Sequence, residues 1–101
     1  MGWATNYIKQ LQDGQTISFR PRGNSMEGKI SSGQLCTLEP VTDKTTLKKG
    51  DIVLCYVGGC QYLHLIKSIS GNSYKIANNK GRINGTITRK SIYGLCTKVD
   101  N

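Results

Sequence analysis

Residues 52–69 read IVLCYVGGCQYLHLIKSI, in which two runs rich in β-branched, aliphatic and aromatic residues flank a Gly-Gly pair. Such runs favour strands, and the glycines between them are a strong hairpin signal because tight hairpin turns need positive φ angles. We therefore predict strands over 52–57 and 61–69, joined by a turn at Gly58-Gly59. The centre of the chain is thus predicted to be a β-hairpin.

Shorter segments of similar composition extend outward from this hairpin on both sides. The predicted strands cover residues 16–20, 34–41, 73–77 and 92–99, with a short strand or bridge at 86–88. Residues 78–85 are polar and contain glycine, so they are predicted to be a loop. Many short strands separated by turns predict a mainly β fold, either a barrel or a sandwich.

One helix is predicted ahead of the first strand. Trp3, Tyr7 and Leu11 fall on one helical face, and Gly14 can end the helix. The helix is expected over about residues 5–13. Its expected role is to pack its apolar face on the sheet.

The length and the hydropathy pattern bound the class of protein. The chain has 101 residues, which suits one domain over 1–101 because domains most often run about 100–150 residues; residues 1–14 form its N-terminal helical segment. No stretch approaches the roughly 20 apolar residues of a membrane span. The first residues lack the basic start and apolar run of a signal peptide. We expect a cytoplasmic protein with no membrane anchor.

The net charge is +8 and is concentrated toward the C-terminus. The segment from residue 75 to residue 99 contains lysines and arginines but no acid. Such a segment attracts polyanions through counterion release. Two interpretations stay open: a solvated surface, or a site at Lys80, Arg82, Arg89 and Lys90 that binds nucleic acid or an acidic protein.

Metal and cofactor chemistry finds little support in the sequence. The four cysteines, at positions 36, 55, 60 and 96, form no Cys-x-x-Cys pair, and His64 is the single histidine. Structural zinc sites bring their ligands in close pairs, so we expect no metal and no cofactor. Cysteines within apolar strands indicate small buried side chains in a reducing compartment.

One glycine-flanked turn, Gly23-Asn24-Ser25-Met26-Glu27-Gly28, presents a serine. Glycines let the backbone approach a substrate closely and expose N–H groups to an oxyanion. Serines in such turns are also common as structural residues. The turn alone leaves Ser25 either a nucleophile or a cap for backbone N–H groups, and His64 either a base or a satisfied strand residue.

The order of segments over about residues 17–99 resembles the signal peptidase/LexA superfamily of serine peptidases. The family has a Gly-x-Ser-Met box, a Gly-Asp turn leading into a β-branched strand, a strand carrying the second catalytic residue, and an Ile-x-Gly closing strand. The matching stretches are Gly23-Asn24-Ser25-Met26, Gly50-Asp51-Ile52-Val53, the strand around His64, and Ile92-Tyr93-Gly94. The histidine strand is similar to that of the archaeal and endoplasmic-reticulum signal peptidases, where bacterial enzymes and LexA proteins have lysine.

The resemblance implies a small coiled-sheet or barrel domain of the LexA C-terminal/signal peptidase type, with a Ser–His dyad. Ser25 would attack a peptide carbonyl, and His64 would take the proton and pass it to the leaving amine. Gly23, Asn24 and Met26 would support the loop and the oxyanion. The substrate would be a protein or peptide in extended form, laid along a strand edge.

The sequence departs from the family pattern at two places that bear on catalysis. Glu27 follows the Ser-Met box, where the peptidases have proline. No acid lies in the Ala-Asn-Asn stretch that ends at Asn79, where the His-type enzymes have one that supports the dyad. Asn78 or Asn79 could orient the imidazole, and Asp51, Asp43 and Glu27 are alternative third members; Asn78 and Asp51 are the ones we predict.

Two functions follow from these observations. The first is a serine endopeptidase with Ser25 and His64 as a dyad. The second is a non-catalytic module of the same fold with a vestigial dyad, whose basic C-terminal half binds nucleic acid or an acidic host protein. A small, unanchored form of this fold would suit a phage or mobile element.

Overall fold

A computed structural model describes residues 2–101 and confirms the mainly β class with one short helix. A 3₁₀ turn over Arg89–Ser91 precedes the last strand. The helix α1 and the strands have these bounds: α1 Thr5–Gln12, β1 Ile17–Phe19, β2 Leu35–Pro40, β3 Ile52–Val57, β4 Cys60–Ser70, β5 Ser73–Ala77, β6 Ile83–Ile87 and β7 Ile92–Asp100. Within residues 2–101, no helix is long and apolar enough to cross a membrane.

The strands form a single antiparallel sheet in the order β1-β2-β7-β3-β4-β5-β6. The C-terminal strand β7 lies between β2 and β3, so it joins the N-terminal part of the sheet to the central hairpin. The sheet curls strongly. The curl is seen in the contact between Gly85 of β6 and Val57 of β3, since β4 and β5 lie between these two strands in the sheet order. A Cβ at Gly85 would come within 2.8 Å of Val57 Cγ1, so this approach needs glycine.

Both faces of the curled sheet are buried, which explains why the β3 sequence is almost continuously apolar. Leu54 joins Leu11, Phe19 and Leu38 in a core under α1. Val53 and Cys55 join a second core on the opposite face; its other buried members are Val57, Ile66, Tyr74, Ile76 and Ile92. Strand β3 is thus the shared wall of two apolar cores.

Helix α1 packs on the sheet, as its apolar face predicts. Ile8 and Leu11 are its buried residues. A Cβ at Gly94 of β7 would come within 2.7 Å of Leu11 Cδ1 and 3.0 Å of Leu38 Cδ2, so this glycine lets the helix sit close. Gln61 Oε1 accepts the Ala4 N–H at 2.7 Å, which ties the start of the helix to β4.

The strand predictions are confirmed at the centre and need one correction near the C-terminus. The predicted loop over 78–85 is wrong in its second half, where β6 begins at Ile83. Its polar residues and glycine suggest a loop, but β6 pairs with β5, with Ile76 opposite Gly85 and Tyr74 opposite Ile87. Tertiary pairing therefore overrides the weak local strand preference.

Candidate active site

The residues between β1 and β2, numbers 20–34, form a long connection that we call the serine loop. Gly23 has a φ of +109°, and its N–H donates to Ser32 Oγ at 3.2 Å. Met26 is buried, and its carbonyl accepts the N–H groups of Lys29 and Ile30 at 2.9 and 2.8 Å. The loop is therefore anchored in the core at Met26, directly after Ser25, which is half-buried.

The structure brings Ser25 and His64 together. Ser25 Oγ lies 3.2 Å from His64 Nε2, at the long end of the range for a nucleophile–base contact in an unliganded site. His64 sits on β4 and is 7% exposed. Strand β4 belongs to the central hairpin and pairs with a strand on each side, β3 and β5, so the imidazole is held on a strand that is not at an edge of the sheet.

The other imidazole nitrogen is held by Asn84, which lies on β6. Asn84 Oδ1 is 2.6 Å from His64 Nδ1. An amide oxygen can only accept a hydrogen bond, so the proton of the neutral ring resides on Nδ1. The Nε2 lone pair then points toward the Ser25 hydroxyl. This is the tautomer that a general base needs.

The surroundings of His64 keep its ring neutral. Burial lowers the pKa of His64 below its ordinary value near 6.5, and the hydrogen bond to Asn84 opposes part of that shift. The Tyr62 ring stacks on the imidazole with centroids 4.7 Å apart. Since the folded-state pKa lies below the unfolded one, protonation favours unfolding, and stability falls as the pH drops below about 6.5.

Asn79 fixes the serine loop from the other side. Its backbone N–H donates to the Ser25 carbonyl at 2.9 Å, and its side-chain Nδ2 donates to the Glu27 carbonyl at 2.8 Å. Gly28 passes so close that a Cβ there would come within 2.9 Å of Asn79 Nδ2. The turn after β5 therefore sets the position of Ser25 relative to the sheet.

The structure corrects the predicted third member of the site. Asn78 Oδ1 accepts the backbone N–H groups of Lys80 and Arg82, each at 2.9 Å, and so closes the turn between β5 and β6. Asp51 accepts the Lys48 N–H at 2.8 Å and caps the turn before β3. Both side chains are occupied in local turns, and Asn84 takes the place on the imidazole that was expected for one of them.

Sequence reasoning missed Asn84 because it lay inside the predicted loop. A signal for its placement was present: Ile83, Gly85 and Ile87 alternate with polar residues, which is typical of a half-buried strand. A hairpin from β5 into such a strand would have placed Asn84 on an edge strand of the sheet and not in a loop. Asn24, expected to support the loop, does so through its carbonyl, which accepts the Glu27 N–H at 3.2 Å.

A cleft of about 780 Å³ opens over the dyad. It is lined by the loop that follows β1, by β4 and by Asn84 of β6. Because β1 and β6 are the two edges of the sheet, the curl brings both edges to one cleft. Within residues 2–101, the backbone N–H groups of Ser25 and Met26 have no hydrogen-bond acceptor, so they are available to an oxyanion.

The four basic residues predicted to bind a polyanion fall in two different places. Arg82 lines the cleft beside the dyad, and Lys80 is exposed in the adjoining turn. Arg89 donates to the carbonyls of Thr42 and Thr45, so its charge is committed to a structural contact. Lys90 lies with Arg89 at a separate shallow groove. Arg82 and Lys80 therefore lie at the cleft and its adjoining turn, and Arg89 and Lys90 lie at the separate groove.

All four cysteines are free thiols, and in the part of the chain that the structure describes no cluster of His, Cys, Asp and Glu is arranged to hold a metal ion. No protein-family model matches the chain, and no curated protein matches it.

Proposed function

We propose that the chain is a serine endopeptidase of the signal peptidase/LexA-like type, with Ser25 as nucleophile and His64 as general base. The observation that carries this proposal is the relay from Ser25 Oγ to His64 Nε2 at 3.2 Å and from His64 Nδ1 to Asn84 Oδ1 at 2.6 Å. Nucleophile, base and orienting group follow one another in the order that this chemistry requires.

The reaction runs in two halves. Ser25 Oγ bonds to the scissile carbonyl carbon while its proton passes to His64 Nε2, and the carbonyl oxygen becomes an oxyanion facing the N–H groups of Ser25 and Met26. The C–N bond then breaks, and the imidazolium gives its proton to the leaving amine. Water, deprotonated by the same imidazole, cleaves the acyl ester and restores the serine.

Asn84 acts on the imidazole and not on the substrate. Its Oδ1 holds the Nδ1–H and so fixes both the tautomer and the ring orientation. An amide carries no charge, so it stabilises the imidazolium less than a carboxylate would. We expect a slower enzyme than one with an acid in this position, working at pH values where His64 is neutral.

An extended polypeptide fits the placement of the cleft. Strand β1 ends at Phe19, and Phe19 and the loop residues after it line the cleft, while Asn84 of the opposite edge strand lines the other side. Edge strands present unpaired backbone groups that can pair with an added strand. A substrate held by its backbone presents a peptide bond to Ser25.

The cysteines are consistent with a reducing, cytoplasmic setting for this activity. Burial raises the pKa of Cys36 and of Cys55 to about 12, so both thiols stay protonated and unreactive. Cys60 is an exposed free thiol, as proteins of reducing compartments have. Its presence does not interfere with the serine chemistry proposed for the cleft.

The test is hydrolysis of a complex peptide mixture by the full chain. Purified protein is incubated with a tryptic digest of a bacterial proteome, and new termini are identified by mass spectrometry. Ser25→Ala is expected to lower the rate by about 10³-fold or more, because the nucleophile is lost. Ser68→Ala, at an exposed serine on the same strand as His64, should leave the rate unchanged. Equal rates for Ser25→Ala and the unmodified chain would refute the proposal.

A further inference from the structure

The cleft over the dyad is cationic. Arg20, Arg22 and Arg82 line it, and no Asp or Glu side chain does. Among residues 2–101, the one salt bridge joins Lys98 to Asp100 at 3.6 Å, so no carboxylate of the described chain neutralises these three guanidinium groups. Three positive charges therefore face the space that a substrate occupies.

The three arginines differ in the hydrogen bonds that their side chains make. Arg20 Nη1 donates to the Gly33 carbonyl at 2.7 Å, which orients that guanidinium against the serine loop. Arg22 and Arg82 are exposed, and within the described residues neither side chain makes a hydrogen bond. A guanidinium with its donors free is suited to bidentate capture of a carboxylate.

Arg82 lies close to the catalytic histidine through Tyr62. Arg82, Tyr62 and His64 all line the cleft. The Tyr62 ring in turn stacks on His64. A carboxylate bound by Arg82 would therefore sit beside the relay and not at a remote surface.

An aromatic wall forms another part of the same cleft. Tyr7 and Phe19 stack at 4.4 Å, and Trp3 packs on Phe19 at 5.7 Å while remaining 53% exposed. Trp3 Nε1 donates to the Gln61 carbonyl at 3.1 Å, which ties the wall to β4. Phe19 is buried, so Trp3 and the half-buried Tyr7 offer the accessible aromatic surface, which can accept an apolar side chain.

We propose that the cleft selects polypeptide segments in which an acidic side chain, bound by Arg22 and Arg82, lies within a few residues of an aromatic or large aliphatic side chain. The proposal rests on the proposed function, since it identifies the substrate class of that same cleft. Charge complementarity supplies the preference for the acid, and the aromatic wall supplies the preference for the apolar residue.

A polypeptide fits these features better than a nucleic acid. Binding a phosphate backbone needs a continuous basic track. Of the four basic residues predicted to bind a polyanion, only Arg82 and the adjoining Lys80 lie at the cleft, because Arg89 is bound to two carbonyls and Lys90 lies at another groove. Three arginines beside an aromatic wall in one cleft suit a single acidic side chain next to an apolar one.

The experiment measures binding by the full chain carrying Ser25→Ala, so that it does not depend on turnover. The probe is a fluorescein-labelled decapeptide with the central sequence Phe-Asp-Glu in a Gly-Ser background. The matched peptide has Phe-Asn-Gln and differs only in charge. Fluorescence anisotropy should give about tenfold tighter binding of the acidic peptide, equivalent to about 1.4 kcal/mol.

Charge-removing variants locate the site. Arg82→Gln or Arg22→Gln, added to Ser25→Ala, should each reduce the preference for the acidic peptide to about twofold or less, because a charge-assisted hydrogen bond is lost. Lys75→Gln removes the same charge from an exposed side chain outside the cleft and should leave the preference at about tenfold. A loss equal to that in Arg82→Gln would overturn the assignment to the cleft.

The remaining outcomes separate this inference from the proposed function. Equal affinity for the two peptides would overturn the acidic preference even if the protein hydrolyses peptides. An acidic preference in a chain that hydrolyses nothing would support the cleft assignment and refute the peptidase. A single-stranded DNA decamer that binds tighter than the acidic peptide, and loses affinity in Arg82→Gln, would overturn the peptide in favour of nucleic acid.

Discussion

Two long connections in this small sheet invite comparison: the serine loop, residues 20–34, and the connection from residue 41 to residue 51, which we call the threonine loop. Both are rich in polar residues and contain glycine and lysine, and neither contains a helix or a strand. They differ in where their polar groups point. The threonine loop uses its polar groups to close turns and to bind neighbouring elements, whereas the serine loop places Ser25 at a cleft.

The threonine loop is closed by its own side chains and by one remote arginine. Thr45 Oγ1 accepts the Thr42 N–H at 2.9 Å, and Asp51 accepts the Lys48 N–H at 2.8 Å. Arg89 donates to the carbonyls of Thr42 and Thr45. No residue of the threonine loop lines the cleft over the dyad.

The serine loop is anchored by Met26 and Asn79 but keeps reactive groups free. Its Ser25 hydroxyl contacts His64, and the N–H groups of Ser25 and Met26 have no acceptor within residues 2–101. Arg22 adds an unpaired charge at the cleft. The two loops are alike in composition, and they differ in the polar groups that the serine loop leaves without a partner at the cleft.

The largest expected effect is on the rate of peptide hydrolysis. Asn84→Ala should lower the rate of peptide hydrolysis by about 10- to 100-fold, because the ring loses the group that fixes its tautomer. Stability should change by about 1 kcal/mol, the typical net value of one hydrogen bond. A rate within twofold of the unmodified chain would contradict a positioning role.

The pH profile separates a positioning role from a merely structural one. Catalysis needs neutral His64, whose pKa is lowered by burial, so the acid limb for the unmodified chain should have its midpoint below about 6.5. Asn84→Asp places a carboxylate beside the ring and raises the pKa, so the limb should move to higher pH. A profile that does not move would contradict the contact.

The next effect concerns the position of the serine loop. Gly28→Ala introduces a side chain at a φ of +99° and within 2.9 Å of Asn79 Nδ2. The free energy of unfolding should fall by about 1–3 kcal/mol, and the rate should fall by about tenfold as Ser25 shifts. Hydrolysis and urea unfolding measure the two effects.

Gly14→Ala is the matched control for that substitution. Gly14 has a similar φ of +87°, but nothing lies within 4 Å of the added Cβ. It should lose about 1–2 kcal/mol of stability to backbone strain and keep its full rate. If both variants lose activity equally, the loss follows stability and not the position of Ser25.

The smallest effect tests the threonine loop. Arg89→Ala should lower the free energy of unfolding by about 1–2 kcal/mol, because two carbonyls lose a charged donor at a half-buried site. Lys90→Ala removes the same charge from an exposed neighbour and should change stability by less than about 0.5 kcal/mol. Both variants should hydrolyse peptides at the rate of the unmodified chain. A tenfold loss of that rate in Arg89→Ala would contradict a purely structural role for the threonine loop.

The sequence predicted the parts of the fold that local chemistry determines. The hairpin around Gly58-Gly59 and the helix before Gly14 follow from turn glycines and apolar periodicity, and both are confirmed. Strand β6 was harder because its sequence, Ile-Asn-Gly-Thr-Ile, holds a glycine and two polar residues. Its strand state depends on pairing with β5, which local propensity does not contain.

The site residues divide in the same way, into those visible in the local sequence and those placed by tertiary pairing. Ser25 and His64 could be named as candidates because a serine in a glycine turn and a single histidine are visible in the sequence. Asn84 and Asn79 could not be chosen over Asn78, since the segment from 78 to 84 holds three asparagines and the hairpin turn within it decides where each side chain points. In the folded protein, Asn79 binds the serine loop and Asn84 binds the imidazole of His64. Asn78 accepts an N–H group of its own turn.

The central claim is that Ser25 is a nucleophile activated by His64, and covalent labelling tests it most directly. With diisopropyl fluorophosphate, Ser25 Oγ bonds to phosphorus, fluoride leaves and the proton passes to His64. Intact mass and peptide mapping should locate one adduct, on Ser25, forming faster as the pH rises through the His64 pKa. His64→Ala should slow labelling by about 10²–10⁴-fold. Labelling spread over several serines, or equally fast without His64, would contradict the account.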